Sequence, residues 1–317
     1  MTYAQFGTVQ ATDFNTLVGG NPTTTSGTLN AVWATGGSST GYGQTALANI
    51  SAGNTVAAVG QWANLVNLTS NSASHQGSSI TAVTAPAAGN TITYLSAIPT
   101  NLTTIYTNRL NAASQGSTTT NTATTVSTWS SIATWTHTAT FANGDAARYF
   151  FNSGGQIKMT VSHPNGTGIN LLFNGLASNV GTVVMSAPTS GAVSIAGTSY
   201  NGITKVGGGG NAPTVDSTKG YYGLTTANAT AFTQTASTGP SGYLSTYIRF
   251  IVKSNGTQGT NGDTGSVITV YTIWDEVPDG LVVSTGSATT MTLTAPETTN
   301  LANSWGTVTL TGTVTGA

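Results

Sequence analysis

Few side chains in this sequence can do chemistry, and their placement limits what that chemistry could be. The carboxylates gather at Asp275-Glu276-Val277-Pro278-Asp279, with Glu297 further on. A glycosidase needs two carboxyl groups facing each other across roughly 5–9.5 Å. Neighbours at a strand end point to opposite sides. Asp275 and Asp279 flank a proline, where Asp commonly serves a turn. The pattern predicts a turn rather than a hydrolytic pair. The three histidines, His75, His137 and His163, stand far apart in different settings. His75 is placed just past a helix, His137 in a strand and His163 at a Pro-Asn-Gly turn. A zinc site would need them to converge, so no metal is expected. A ladder of one histidine repeated around a trimer axis is the other arrangement they would allow. A Ser/His/Asp triad would need a strand–turn–helix setting for its nucleophile, and none is predicted. Gly207 to Gly210 lacks the Lys-Ser/Thr of a phosphate loop. Asp263, a single carboxylate in a polar loop, is no calcium cage. No cofactor is expected.

Aromatic residues on glycine loops are the better binding chemistry. Tyr42 lies between Gly41 and Gly43, and Tyr221-Tyr222 lies between Gly220 and Gly223. Exposed there, Tyr42, Tyr221 and Tyr222 would stack on sugar rings or pack against another subunit, with Asn, Ser and Thr as polar partners.

Composition narrows the class. Of 317 residues only 5% are charged, against about 25% in an ordinary globular protein. The net charge of −1 leaves no basic surplus for a phosphate backbone, so no nucleic-acid partner is expected. A hydrophobic share of 38% supports a real core. The surface must stay wet through hydroxyls and amides, and low net charge gives little repulsion between copies. With no cysteine there is neither a disulfide frame nor a thiolate metal site. No apolar run is long enough to span a membrane, and Met1 to Gly7 carries no export pattern. A β-type composition without an export signal fits a particle protein made in a host cytoplasm and released by lysis; a secreted adhesin would need a signal lost in processing or an unconventional exporter.

The elements that would position these residues divide the chain into 1–120, a helical docking or assembly region, and 121–317, a β-sandwich-like domain. The first part holds two full charges, Asp13 and Arg109. An echo runs through it: Thr8-Val9-Gln10-Ala11 leads into Phe14 to Val18, Asn54 to Ala58 into Trp62 to Val66, and Ala88 to Ile92 into Leu95 to Ile105. Each copy predicts a short extended entry followed by a helix. Leu29 to Trp33 adds another helix, and Pro99 is placed in a first turn. The Thr-rich stretch 114–128 is read as the boundary, or as an edge strand already begun. Arg148 to Phe151 and Gln156 to Ser162 are expected as the arms of a β-hairpin turned by Asn152-Ser153-Gly154-Gly155. Beyond it, strands are expected at Gly168 to Phe173, Gly181 to Ser186 (after a helical turn near Leu176), Gly191 to Ala196, Tyr200 to Val206, Tyr243 to Lys253, Val267 to Trp274, Met291 to Leu293 and Gly306 to Val314. The fold class expected is mainly β: a small helical N-terminal region and a C-terminal antiparallel β-sandwich.

Several segments carry a resemblance. Gly41-Tyr-Gly-Gln-Thr45, Ser74-His-Gln-Gly77, Arg148-Tyr-Phe-Phe-Asn-Ser-Gly-Gly-Gln-Ile157, Ser254-Asn-Gly-Thr-Gln-Gly to Asn261-Gly-Asp263 and Trp274-Asp-Glu-Val-Pro-Asp-Gly280 resemble virion structural proteins of tailed bacteriophages, a group in which aquatic and cyanobacterial phages are rich. The resemblance covers most of the chain. It implies a non-catalytic part of a tail, neck or fibre-like appendage, with other virion proteins and copies of itself, a homotrimer or higher, as partners. A host-glycan-binding module, a capsid decoration protein and a depolymerase relying on Asp275 are the alternatives.

Overall fold

The computed structural model describes residues 9–92 and 96–316. Met1 to Thr8 and Leu95, which enter the readings above, lie outside the described residues. The fold is mainly β with a small helical N-terminal region. Four α-helices precede the sheets: α1 (Ala11–Val18), α2 (Leu29–Val32), α3 (Ala63–Gln76) and α4 (Ala97–Thr107). Helix α1 buries Ala11, Phe14, Leu17 and Val18 at helical spacing, and the Asp13 carboxylate accepts the Gln10 N–H at its start. Gly77, left-handed at φ 68°, ends α3. Pro99 sits in the first turn of α4, where a missing N–H costs nothing. The first two copies of the echo meet. Their extended entries pair at Gln10 and Thr55, and Phe14 packs on Trp62 with ring centroids 6.4 Å apart.

These helices are short and would be marginal alone. Carboxamides reinforce them. Asn15 of α1 both donates to Ile50 O and accepts from Ile50 N–H, each at 2.8 Å. Asn30 of α2 grips Leu47 in the same way, at 2.8 and 3.1 Å. Asn101 of α4 grips Thr81, at 2.8 and 3.0 Å. Each amide stands in for a neighbouring strand. It satisfies both backbone groups of an extended residue that has no ladder partner.

The rest of the chain alternates strands with two further helices. The order is β1 (Gln115–Thr124), β2 (Ile132–Thr140), α5 (Gly144–Asn152), β3 (Gln156–Ser162), α6 (Ile169–Val180), β4 (Thr182–Met185), β5 (Val193–Ile195), β6 (Thr198–Tyr200), β7 (Ile203–Val206), β8 (Thr214–Val215), β9 (Ala229–Thr235), β10 (Tyr247–Ser254), β11 (Val267–Asp275), β12 (Ala288–Pro296) and β13 (Thr309–Thr315). One sheet runs β1-β12-β3-β4-β7 and the facing sheet runs β13-β2-β11-β10-β9-β8, antiparallel throughout. The hairpin β5-β6 forms a small sheet of its own. Alternation works as period-two burial requires. In β10, Ile248, Phe250 and Val252 are buried while Tyr247, Arg249 and Ile251 face outward. The inner faces meet over Trp135, Met159, Trp274 and Met291. Helix α6 wedges between the sheets, touching β3 on one side and β9 and β10 on the other. Its Phe173 stacks on Trp274, centroids 5.5 Å apart.

Two expectations need correction. Arg148 to Phe151 is no hairpin arm but the body of α5. Asn143 caps that helix by accepting the Ala146 N–H at 2.8 Å, Asp145 lies in the first turn, and the two Ala residues favour helix. The Asn152 to Gly155 turn closes this helix before β3; it does not join two strands. Gly168 to Phe173 is likewise helical, the start of α6. Its buried residues Ile169, Leu172, Phe173, Leu176, Ala177 and Val180 recur every three or four positions. Of the two readings of 114–128, the edge strand is the one the structure shows: β1 spans Gln115–Thr124 at the edge of its sheet, and the 120/121 division falls inside it.

Candidate functional site

The densest polar geometry lies at the seam between the helices and the sandwich, where two segments of the resemblance meet. Four consecutive carbonyls, from Ser38 to Gly41, are met by side chains of the β half. Arg148 Nη1 donates to Ser38 O at 2.7 Å and to Thr40 O. The Tyr222 hydroxyl is within donating distance of Ser39 O, at 2.9 Å, and of Asn152 Oδ1. Asn152 Nδ2 donates to Gly41 O at 2.9 Å. Arg148 and Asn152 are four residues apart on α5, so both reach the same loop. Arg148 is fully buried. Its charge is balanced by Asp145, 3.2 Å from Nη2, and by carbonyl dipoles that could otherwise cradle a cation. Gly43 must be glycine, because a Cβ there would stand 2.3 Å from the Tyr149 ring.

The other face of the seam is built on Tyr42. Its hydroxyl donates to Arg109 O at 2.8 Å and accepts from Gln76 Nε2 at 2.7 Å. Its ring lies edge-on to His75, centroids 5.1 Å apart. His75 Nδ1 stands 2.8 Å from Glu297 Oε1. Beyond Glu297 the β12–β13 connection crosses to the helices. Leu301 enters their core, and Gln44 clamps Ala302 at both backbone groups, at 2.8 and 2.9 Å.

The reading of Tyr42, Tyr221 and Tyr222 as open aromatic faces is therefore corrected. Tyr42 and Tyr221 are 0% exposed. Tyr221 is stacked on Phe151 at 4.4 Å, and Tyr222 is half-buried with its hydroxyl engaged. Burial pushes all three hydroxyls up, so they remain neutral. The first two keep no ring face for a sugar or a second subunit. The glycines beside them allow close packing and do not expose them.

The remaining candidates do not converge. Asp275 accepts the Tyr247 hydroxyl at 2.5 Å. Buried Glu276 turns the other way and accepts the Leu281 N–H at 2.9 Å, and Asp279 is exposed. Asp263 is occupied by Thr257 and Thr260 within its own loop. Among the described residues no group of three or more His, Asp or Glu could hold a metal ion. A groove of about 240 Å³ between α3, α4 and residues 80–83 is lined by Val66, Thr69, Ile98, Asn101 and other residues, none of them ionisable.

Two serine arrangements escaped the sequence reading. Gly37-Ser38-Ser39-Thr40-Gly41 has the Gly-x-Ser-x-Gly spacing, but it forms the gripped loop with no strand–turn–helix around it. The other joins distant positions. His163 Nδ1 is 2.8 Å from Ser287 Oγ, and its Nε2 is 3.2 Å from Asn170 Oδ1. Trp129 Nε1 donates to Ser287 Oγ at 3.4 Å, and Ser284 N–H donates to Asn170 Oδ1 at 2.8 Å. One assignment satisfies every group: Ser287 O–H donates to Nδ1, and Nε2–H donates to Asn170. The set resembles a Ser–His–Asn triad in order, yet Ser287 is 0% exposed. It ties α6 and the Trp129 loop to the start of β12. No spacing signal marks residues 163, 170 and 287, which only the tertiary fold brings together.

No helix of the described residues is long and apolar enough to cross a membrane. Comparison with known proteins gives no match: no family model fits the chain, and no curated protein or solved structure matches it.

Proposed function

We propose that this chain is a non-catalytic structural component of a tailed-phage virion, part of a tail, neck or fibre-like appendage, and that it assembles with its own copies, as a trimer or higher, through uncharged interfaces. The resemblance of its segments to virion proteins supports the phage assignment. One structural observation supports the assembly mechanism. On the outer face of the six-stranded sheet, Thr309, Thr311, Thr313 and Thr315 of β13 pair in register with Thr140, Thr138, Thr136 and Thr134 of β2. The hydroxyls of Thr138 and Thr311 are 2.7 Å apart. A file of hydroxyls and methyls like this makes hydrogen bonds and apolar contact without ions. Capsid decoration would use the same kind of surface. Glycan binding has lost the ring faces of Tyr42 and Tyr221 that would have carried it.

Interfaces of this kind should resist salt, since screening weakens only charged contacts. On sizing with light scattering, the oligomer is expected to persist unchanged from about 0.1 M to about 1 M NaCl. A monomer at every concentration, or dissociation as salt rises, would overturn the mechanism. Placing the density in an intact particle would test the location.

A further inference from the structure

We infer that Asn165 is the site at which this protein deamidates in its folded state, ahead of the five other Asn-Gly steps in the sequence. Asn-Gly is the step most prone to this chemistry, because glycine has no side chain to hinder its nitrogen and gives the backbone the freedom ring closure needs. The peptide nitrogen of the glycine attacks the Asn Cγ. A C–N bond forms, the Cγ–Nδ2 bond breaks and ammonia leaves with the displaced proton. Water then opens the succinimide at either carbonyl to give aspartate or isoaspartate. No oxidant, reductant or enzyme is required.

The fold sorts the six steps. Asn143 caps α5, with its Oδ1 bonded to the Ala146 N–H. Asn174 lies inside α6, where helical backbone cannot close the ring, and its Nδ2 donates to His163 O at 2.7 Å. Asn201 has a buried Oδ1 beside a buried Gly202. Asn255 Oδ1 accepts two backbone N–H groups, from Ser266 at 2.9 Å and Val267 at 2.8 Å. Asn261 is exposed, but the attacking nitrogen of Gly262 is committed to Asp145 Oδ1 at 3.1 Å. Asn165 differs from all of these. It and Gly166 are exposed in the loop between β3 and α6. The Gly166 nitrogen lies against the Asn165 carboxamide itself, 3.0 Å from Oδ1. That is the only hydrogen bond of the Asn165 side chain among the described residues. No side-chain hydrogen bond of Asn165 to a residue other than Gly166 has to be broken before the nitrogen meets Cγ, and the product places a new negative charge in a chain that has few.

The test is peptide mapping by mass spectrometry of the intact folded protein held at mildly alkaline pH, alongside the same protein in denaturant. In the folded protein Asn165 is expected to convert at least about tenfold faster than each other Asn-Gly step, since the others must first surrender hydrogen bonds, helical structure or burial. In denaturant the six rates should draw together. Asn165→Gln should remove the leading acidic species from ion-exchange profiles while leaving the melting temperature unchanged. Folded-state conversion led by Asn261 or Asn255, or the same ranking with and without denaturant, would overturn the inference.

Discussion

The His75 ring, followed by the amides around Asn300, holds the Glu297 carboxyl at about 2, well below the usual 4.5 and against the upward pull of its own burial. A carboxyl lowered in the folded state adds stability that is complete above its unfolded value and is lost as pH falls through the folded one. Here that window runs from 4.5 down to about 2, and the shift corresponds to roughly 3 kcal/mol. His137 and His163 act earlier. Burial lowers both below 6.5, so the unfolded chain takes up their protons first. Their contribution is whole above 6.5 and declines as pH falls toward the folded values. Acid should therefore erode stability in two stages. Urea unfolding at about pH 7, 5 and 3 measures both. Glu297→Gln should abolish the lower stage and leave the upper one, and a variant curve parallel to the wild type throughout would refute the assignment.

Among the elements, the carboxamide clamps carry the most unusual load. Asn30 is 1% exposed and holds both backbone groups of Leu47. Asn30→Ala should leave a buried donor and acceptor unpaired, at about 1–3 kcal/mol. Asn30→Asp keeps the shape but sets a carboxylate against Leu47 O, so it should lose at least as much at neutral pH and recover part of that in acid. Thermal melts at the two pH values check the sign. An Asn30→Asp protein as stable as wild type at neutral pH would mean the donor half of the clamp is idle. The same elements show what sequence can reveal. Strand β10 announced itself, because burial on one face of a sheet writes itself as alternation. Helix α6 had an equally clear signal at Ile169, Leu172, Phe173, Leu176 and Val180, but a window closed at Phe173 holds too few turns to separate helix from strand. Helix α5 was hidden differently. Its aromatic run Tyr149-Phe150-Phe151 favours strands locally, while the Asn143 cap and the contacts of Arg148 and Asn152 decide for helix. The clamps and the His163–Ser287 pair leave no local trace. Their partners are set by which segments the tertiary fold brings together.

At the scale of the molecule, the question is whether the helices and the sandwich unfold as one body. The short helices are marginal by themselves, and the seam gives them their support. Leu301 of the β12–β13 connection is part of the helical core, and Arg148 and Asn152 of the β half hold the loop that leads to Tyr42. Wild-type protein should then show one calorimetric transition, with amides of α3 and α4 protected from hydrogen exchange to the same limit as those of β10 and β11. Arg148→Met keeps the bulk of the side chain but leaves Ser38 O and Thr40 O without their donor, a loss of about 1–3 kcal/mol for buried acceptors left unpaired. Because the two lost carbonyl contacts, to Ser38 and Thr40, cross to the helical side, that loss should fall on α3 and α4 first and divide the melt in two, with β10 and β11 still protected. Arg148→Lys supplies one charged donor in place of a fork and should fall between. If Arg148→Met lowers protection in α3 and β11 equally, the buried arginine stabilises the sandwich as a whole and the seam is not what joins the two parts.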